Sequence, residues 1–211
     1  KDTVTDISAV DLSDIADGRV AGCTNNGTVE ADLNVGGITG TMGLESTVDP
    51  EDDRPSGSLT QRRRYELKAI VDGCENVGTV TAKRSYAGGI CGRMELGLIT
   101  GSRGYGRISS ENGDYVGGIA GLTGGTVRDS FAKCTLSGNN YVGGVVGSGI
   151  QEDASGDSST VTGCYSMVEI PEGGQYQGAV SGSEKGTFAE NHFVSDTLAG
   201  INRQSIAGEA E

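Results

Sequence analysis

A seven-residue motif, written five times, constrains this chain more than any other feature of its sequence. At 141–147 it reads Tyr-Val-Gly-Gly-Val-Val-Gly, and the other copies lie at 34–40, 86–92, 115–121 and 176–182. Self-similarity at a period of a few tens of residues is typical of architectures in which each repeat is one supersecondary unit. The motif therefore predicts a fold made of successive, equivalent units.

Two more positions recur in each repeat. One is a four-residue step that consists of an aliphatic residue, any residue, a turn residue, and Cys or Ser. This step begins at Val20, Val71, Ile99, Val127 and Val161, and Phe188 begins a sixth copy. Another apolar residue follows at Val29, Val80, Ile108, Leu136 and Ile170. Each repeat thus holds three short apolar stretches separated by Gly, Asn and Ser, which are strand lengths and turn residues.

The repeat period indicates how these strands are arranged. Gly88 and Gly117 are 29 residues apart, Gly117 and Gly143 are 26 apart, and longer intervals carry extra residues at 41–70 and 148–159. Three short strands in about 26 residues can bury an apolar side only by stacking on the next repeat. We therefore expect an all-β fold, a single right-handed parallel β-helix of five to six turns with a long loop insertion.

Stacking would place equivalent residues of successive repeats in columns. One predicted column comprises Val20, Val71, Ile99, Val127, Val161 and Phe188, and another comprises Ile38, Ile90, Ile119, Val145 and Val180. β-Branched residues suit such a surface because they pack well against neighbouring strands.

The domain limits follow from where the pattern begins and weakens. Residues 1–19 are expected to form a lead-in or N-terminal cap, 20–195 the β-helix, and 196–211 a C-terminal cap or tail. The insertion 41–70 is expected to leave the rod as a loop and to return through a strand at 65–71. Any helix should be confined to the chain ends and this insertion.

Composition excludes some classes of protein. The chain has 37 Gly but only 3 Pro, and its 29 acidic and 16 basic residues give a net charge of −13. Nucleic-acid binding needs clusters of Lys and Arg, so this balance argues against it. No apolar run approaches the roughly 18 residues of a membrane span, and no signal peptide is recognised. We expect the chain to be a mature piece or a segment cut from a longer protein.

The element G-G-[IV]-x-G, followed by a G-x-[IV] step, occurs clearly at 87–92 with 97–99 and at 116–121 with 125–127. Residues 142–147 and 177–182 also match, although Ala179 replaces the second glycine. This pattern resembles the GLUG repeat, found in large surface proteins of Gram-positive bacteria and beside the catalytic part of some immunoglobulin-A-cleaving zinc metalloproteases. The resemblance covers residues 20–195 and implies a bacterial cell-surface β-helix. Those metalloproteases use an H-E-x-x-H helix, whereas this chain has a single histidine, His192.

The sequence offers few candidates for chemistry at a site. His192 has no partners in sequence that would make a triad, and we interpret it as a surface or cap histidine. The five cysteines contain no C-x-x-C pair, and three of them share a column with serines, so we expect mostly free thiols that pack as small apolar groups. Those three cysteines and two serines are Cys23, Cys74, Ser102, Ser130 and Cys164.

Two surface features have both a structural and a functional interpretation. The acidic stretch with Asp49, Glu51, Asp52 and Asp53 could bind Ca²⁺ through carboxylate oxygens, but it lacks the alternating calcium-loop pattern, so we expect a solvated loop and no cofactor. Tyrosines at equivalent positions could cover one face of the fold, or they could form a platform for sugar rings or a peptide. The hypothetical ligand site comprises Tyr86, Tyr115 and Tyr141 of the set Tyr86, Tyr115, Tyr141 and Tyr176.

Three functions remain open. The leading hypothesis is a non-catalytic extracellular module of a larger bacterial surface protein, a spacer or adhesion scaffold that binds host or cell-wall glycan or protein. The alternative is a carbohydrate-active enzyme, a polysaccharide lyase or glycoside hydrolase with paired carboxylates; the acidic residues here fall in no repeated column. A third hypothesis is partner binding through the 41–70 loop.

Overall fold

The structure, a computed structural model, describes residues 3–13, 17–44, 64–150, 159–171 and 175–201. These residues form strands and turns without any helix, and so none of them belongs to a helix that could cross a membrane. Most of the 41–70 insertion, including the candidate calcium ligands Asp49, Glu51, Asp52 and Asp53, lies outside the described residues, as does 202–211.

The described residues form twenty-three short strands. In chain order they are β1 (Thr3–Asp6), β2 (Arg19–Ala21), β3 (Thr24–Asn25), β4 (Val29–Gly36), β5 (Thr39–Met42), β6 (Arg64–Leu67), β7 (Ile70–Asp72), β8 (Glu75–Asn76), β9 (Val80–Gly88), β10 (Cys91–Met94), β11 (Leu98–Thr100), β12 (Arg103–Ser110), β13 (Val116–Gly117), β14 (Ala120–Thr123), β15 (Thr126–Arg128), β16 (Phe131–Ser137), β17 (Asn140–Gly143), β18 (Val146–Gly149), β19 (Thr160–Thr162), β20 (Tyr165–Ser166), β21 (Gln175–Gly178), β22 (Thr187–Ala189) and β23 (His192–Phe193).

Three main sheets contain nearly all of these strands. The first has six strands in the order β2-β7-β11-β15-β19-β22, the second has eleven strands, and the third has four in the order β5-β10-β14-β18. The strand pairs among the described residues are parallel, and no antiparallel hairpin joins two repeats. The all-β class and the parallel pairing expected from the sequence are confirmed.

Each repeat contributes strands to these sheets and pairs with the repeats before and after it. We define six repeat units, which in the first sheet pair in chain order. They comprise residues 19–42, 70–94, 98–123, 126–149, 160–182 and 187–201.

The registers place equivalent residues beside one another, as predicted. In the first sheet, Val20 pairs with Val71, and the same column continues through Ile99, Val127, Val161 and Phe188. The backbone N–H of Ile90 donates to the carbonyl of Ile119, at 2.9 Å, and equivalent bonds connect the rest of the predicted second column. Both columns are confirmed, and their inner members are fully buried.

Two glycines of the motif are needed because backbones approach each other closely. A Cβ at Gly118 would collide with the carbonyl oxygen of Gly144 in the next unit and would lie 2.6 Å from the Cβ of Ala132. A Cβ at Gly121 would lie 2.7 Å from the carbonyl oxygen of Tyr115 in its own unit. Separations this short are essentially unknown for real Cβ atoms. These glycines therefore indicate that the space between facing strands is too narrow for a side chain at these positions.

Both chain ends pair with the repeat units beside them. Strand β1 pairs in parallel with β6, the return strand of the insertion, and the Asp6 carboxylate accepts the N–H of Gly97 at 2.7 Å. The predicted return strand at 65–71 is interrupted at Lys68 and Ala69, between β6 and β7. At the other end, the N–H groups of Ala179 and Val180 donate to carbonyls of 199–200, so pairing continues past residue 196.

Ile119 offers a direct test of the buried column. Its side chain is fully buried, so Ile119→Asp would place an unpaired charge among aliphatic groups and should destabilise the fold by several kcal/mol, about 3 or more. Denaturant unfolding followed by circular dichroism measures this loss. The control is Val77→Asp, because Val77 is 46% exposed; equal stability losses for both variants would contradict the packing described here.

Candidate functional site

Four tyrosines from successive repeat units form one stacked row, here called the tyrosine ladder: Tyr86, Tyr115, Tyr141 and Tyr176. Neighbouring ring centroids lie 5.0, 5.0 and 4.8 Å apart, with interplanar angles of 9°, 4° and 7°. The first three rings are half-buried, and Tyr176 is 41% exposed. The structure thus brings together the three tyrosines of the hypothetical ligand site, with Tyr176 as a fourth.

The ladder follows from the backbone register. Each tyrosine is the first residue of a copy of the motif and lies at a bend of the second sheet. The N–H of Tyr86 donates to the carbonyl of Asp114, and the N–H of Ala87 donates to the carbonyl of Tyr115, both at 3.0 Å. Parallel strands lie about 4.8 Å apart. Identical side chains at identical bends must then repeat at nearly that distance, which is a stacking distance for aromatic rings.

The stacking limits which parts of the tyrosine rings a ligand could contact. Within the ladder, the faces of Tyr115 and Tyr141 are covered by the neighbouring rings. A ligand running along the ladder can reach ring edges and hydroxyl groups. Within the described residues, no hydrogen bond occupies the four hydroxyl groups.

The tyrosines also occupy an unusual backbone conformation. Their φ angles are 67°, 67°, 56° and 60° in chain order, and the equivalent Asn34 has φ of 54°. The left-handed region costs a non-glycine residue roughly 1–2 kcal/mol, and Asn is one of the few residues that enter it readily. A stacked aromatic pair returns only about 0.5–1.5 kcal/mol beyond its burial. Stability alone therefore gives little reason to place tyrosine at these bends.

Polar and charged groups adjoin the ladder. The Asp114 carboxylate accepts hydrogen bonds from the backbone and side-chain nitrogens of Asn140, at 3.1 and 3.0 Å, and its N–H donates to the Ser85 hydroxyl at 3.2 Å. The Arg93 guanidinium lies 5.5 Å from the Tyr86 ring centroid, which is cation–π distance, and it pairs with Glu95 at 3.0 Å. The ladder is thus an aromatic row with a polar row directly before it in the chain.

Burial raises the pKa of Tyr115 above its ordinary value, and the charges that Tyr86, Tyr141 and Asp114 would carry raise it further. A phenol whose pKa is higher in the folded protein holds its proton more tightly there than in the unfolded chain. Stability is then fully present below the ordinary tyrosine pKa of about 10 and falls as the pH rises above it.

We therefore expect the melting temperature to fall as the pH rises above about 10, partly through Tyr115. Tyr115→Phe keeps the stacked ring but cannot ionise, so its melting temperature should fall less steeply over the same pH range. Differential scanning calorimetry at a series of pH values makes the comparison. Parallel curves for the two proteins would show that Tyr115 does not contribute.

The small-residue column has a structural role that the structure makes explicit. The N–H of Cys74 donates to the Ser102 hydroxyl and the N–H of Ser102 to the Ser130 hydroxyl, both at 3.2 Å, while the Ser102 hydroxyl donates to the Thr100 carbonyl at 3.0 Å. The N–H of Cys164 bonds Asn191 in the same way, at 3.0 Å. The side chains of Cys74, Ser102, Ser130 and Asn191 each accept a backbone N–H of the preceding repeat unit, whereas the Cys23 thiol bonds within its own unit.

All five cysteines are free in the structure, and only Cys23 is exposed. Burial raises the pKa of Cys91, Cys134 and Cys164 to about 12. Because the thiolate is the reactive form, the buried thiols should be inert in the native protein.

A thiol reagent added to dilute native protein should accordingly modify Cys23 first and the other four cysteines only on unfolding. Mass spectrometry of peptides identifies the modified site, and Cys23→Ser should remove the fast reaction. Rapid native modification of Cys134 would contradict the burial described.

A second aromatic row was missed by the sequence analysis. Phe131, Tyr165 and His192 are register partners on neighbouring units, and the rings of Tyr165 and His192 stack with centroids 5.0 Å apart. With Met167 and Val194 they line a groove of about 110 Å³. His192, interpreted above as a surface or cap histidine, is half-buried here. The residue directly after the Cys or Ser of each repeat could have indicated this row, but in the first three repeat units that residue is Thr24, Glu75 or Arg103.

No group of three or more His, Cys, Asp or Glu side chains within the described ranges could hold a metal ion. No protein-family model, curated protein or solved structure matches the chain.

Proposed function

We propose that this chain is a non-catalytic extracellular module of a larger bacterial surface protein, built as a right-handed parallel β-helix of the GLUG type. It acts as a spacer and as a scaffold whose tyrosine ladder binds an elongated ligand, a host or cell-wall glycan or an extended protein segment. Tyr86, Tyr115 and Tyr141 are the proposed ligand-contacting residues.

The β-helix is supported by the way each repeat is used. The central repeat units each contribute strands to all three main sheets, and the columns run through successive units without a change of register. A two-sheet sandwich would not require equivalent residues of every repeat to pair in chain order. A solenoid does require this, because each unit contacts only its neighbours.

The main support for a binding role is that four tyrosines occupy bends with a strained, left-handed backbone. Asn34 at the equivalent position of the first repeat unit adopts the same conformation, so the bend itself does not require tyrosine. Strained non-glycine residues persist where the surroundings or the function require them, and they cluster at binding sites. The row offers ring edges, and hydroxyl groups to which no described residue hydrogen-bonds, beside the polar groups of Ser85, Asp114 and Asn140. Tyrosine suits such a surface because it has an apolar body and a polar tip.

A ligand on this row must itself be linear and periodic. The rings repeat at 4.8–5.0 Å, and a compact ligand could contact only one or two of them through their edges. A polysaccharide or an extended peptide can instead meet several hydroxyl groups in succession. This favours a polymeric ligand over a small metabolite.

The test is a triple substitution of Tyr86, Tyr115 and Tyr141 to Asn, the residue found at the equivalent Asn34. Because Asn tolerates the left-handed region, the variant should keep its circular dichroism spectrum. It loses three stacked pairs, about 1.5–4.5 kcal/mol together, which the relief of left-handed strain partly offsets. Binding to glycan arrays and to immobilised cell-wall and host-matrix polymers should be lost.

Tyr165→Asn is the matched control, because Tyr165 is exposed but lies in the other aromatic row. It should bind like the wild type. Unfolding of the triple variant would show that the ladder is a packing element, and unchanged binding would remove it as the site. A polysaccharide-degradation assay on the same polymers completes the test, since cleavage of a polyuronate or β-glycan would overturn the non-catalytic assignment.

A further inference from the structure

The spacing of the tyrosine ladder restricts which polymer can follow it. Neighbouring ring centroids lie 4.8–5.0 Å apart, whereas the side chains on one face of an extended peptide repeat every two residues, at about 6.7 Å. The difference of about 1.7 Å per ring accumulates over the three intervals to about one whole ring spacing. An extended peptide therefore cannot present equivalent groups to all four tyrosines.

The ladder is also nearly straight. The planes of neighbouring rings differ by only 9°, 4° and 7°, so the ring edges lie along a line with little twist. A coiled polymer would leave this line after one or two units. A ligand that contacts all four rings must therefore be an extended ribbon.

A chain of six-membered sugar rings joined through equatorial bonds meets both requirements. It advances by one sugar ring and one linking oxygen per unit, a length close to the spacing of the tyrosines, and it is extended instead of coiled. Its hydroxyl groups both donate and accept hydrogen bonds, as the phenol hydroxyls do. Such a chain can therefore place one sugar beside each tyrosine.

A second polar group accompanies each ring, from the residue that precedes the tyrosine. The N–H of Asp114 donates to the Ser85 hydroxyl at 3.2 Å, and the Asp114 carboxylate accepts from Asn140, which is the register partner of Gln175. A few polar groups at defined positions are what fixes the orientation of a bound ligand. Each sugar would meet a phenol together with a hydroxyl, carboxylate or amide group.

The charges around the ladder favour an uncharged ligand. The Arg93 guanidinium beside the ladder pairs with Glu95 at 3.0 Å, and Arg84 of β9 pairs with Asp32 at 3.2 Å. Both cations are thus already matched by carboxylates. Asp114 adds a further carboxylate, and the net charge of the chain is −13, so a polyanion such as a polyuronate would be repelled.

We propose that the ligand of the tyrosine ladder is an uncharged, ribbon-like polysaccharide of equatorially linked sugar rings, bound with one sugar per tyrosine. This inference rests on the proposed function, because it takes the ladder as the ligand site. It selects a neutral glycan over the anionic glycans and peptide segments that the proposed function leaves open. Tyr176, the exposed terminal ring, then sets how long a stretch of polymer the ladder can hold.

Isothermal titration calorimetry with cello-oligosaccharides and N-acetylated chito-oligosaccharides, from disaccharide to hexasaccharide, measures how many sugars the ladder contacts. In at least one series, affinity should rise about two- to tenfold with each sugar, the contribution of one net hydrogen bond. The rise should level off once the oligomer spans the four rings. Malto-oligosaccharides contain the same sugar as cello-oligosaccharides but coil, so they should bind no more tightly than the shortest ribbon oligomers.

Tyr176→Asn removes the terminal ring at a position where Asn tolerates the left-handed backbone. In this variant the affinity should level off one sugar earlier. Tyr165→Asn is the matched control, because its ring lies in the other aromatic row, and it should match the wild type. Circular dichroism checks that both variants fold.

Two kinds of failure are distinguishable with the triple Asn variant of Tyr86, Tyr115 and Tyr141. Tighter binding of a polyuronate or an extended peptide, lost in that variant, would keep the ladder as the site and overturn the neutral ribbon. So would the absence of binding in both ribbon series, or a levelling point that Tyr176→Asn does not move. Oligosaccharide binding that persists in the triple variant would overturn the ladder as a site, and this inference with it.

Discussion

The backbone hydrogen bonds between neighbouring repeat units are the interaction on which the rest of this structure depends. They keep the aliphatic columns aligned, with one register shift where β4 pairs with β9, between Ala31 and Leu33. Because side chains alternate across a strand, a slip of one residue would turn every buried aliphatic outward. The small-residue column adds a second constraint on register, since Ser102 accepts from the unit before it and donates to its own strand. Packing, small-residue hydrogen bonds and ring stacking all require the same alignment.

The close backbone approach at the motif glycines limits the size of the side chains that the core can bury. Where Gly118 meets the backbone of the next unit and the side chain of Ala132, a larger residue would force the sheets apart. The core is therefore made mainly of Val, Ile, Leu, Ala, Cys and Met, with no tryptophan in the chain. Phenylalanine enters the apolar columns at Phe188 and Phe193, both in the last unit, where no full-sized unit among the described residues follows.

Periodicity made the columns predictable, because any in-register stack of these repeats pairs Val20 with Val71 and Ile90 with Ile119. The lead-in and the last unit were harder, since 1–19 and 196–211 do not carry the motif. The tyrosine row was predictable as a set of neighbours, but its left-handed backbone was not, because Tyr is a poor indicator of positive φ. The Tyr165–His192 row was not predicted, because the equivalent position in earlier repeat units holds the charged residues Glu75 and Arg103. Its aromatic character is therefore not apparent from the sequence.

The tyrosine ladder has two different ends, and this gives it a direction. At Tyr86 the guanidinium of Arg93 lies against the ring, and the equivalent position in the preceding unit is Asn34. At the other end Tyr176 is the exposed member, and among the described residues its ring stacks on Tyr141 alone. A polymer lying along the row would meet a cation beside one end and an accessible aromatic ring at the other. Two orientations of such a polymer would therefore be inequivalent, so if the ladder is the ligand site that we propose, its identical tyrosines would still distinguish the polarity of the ligand.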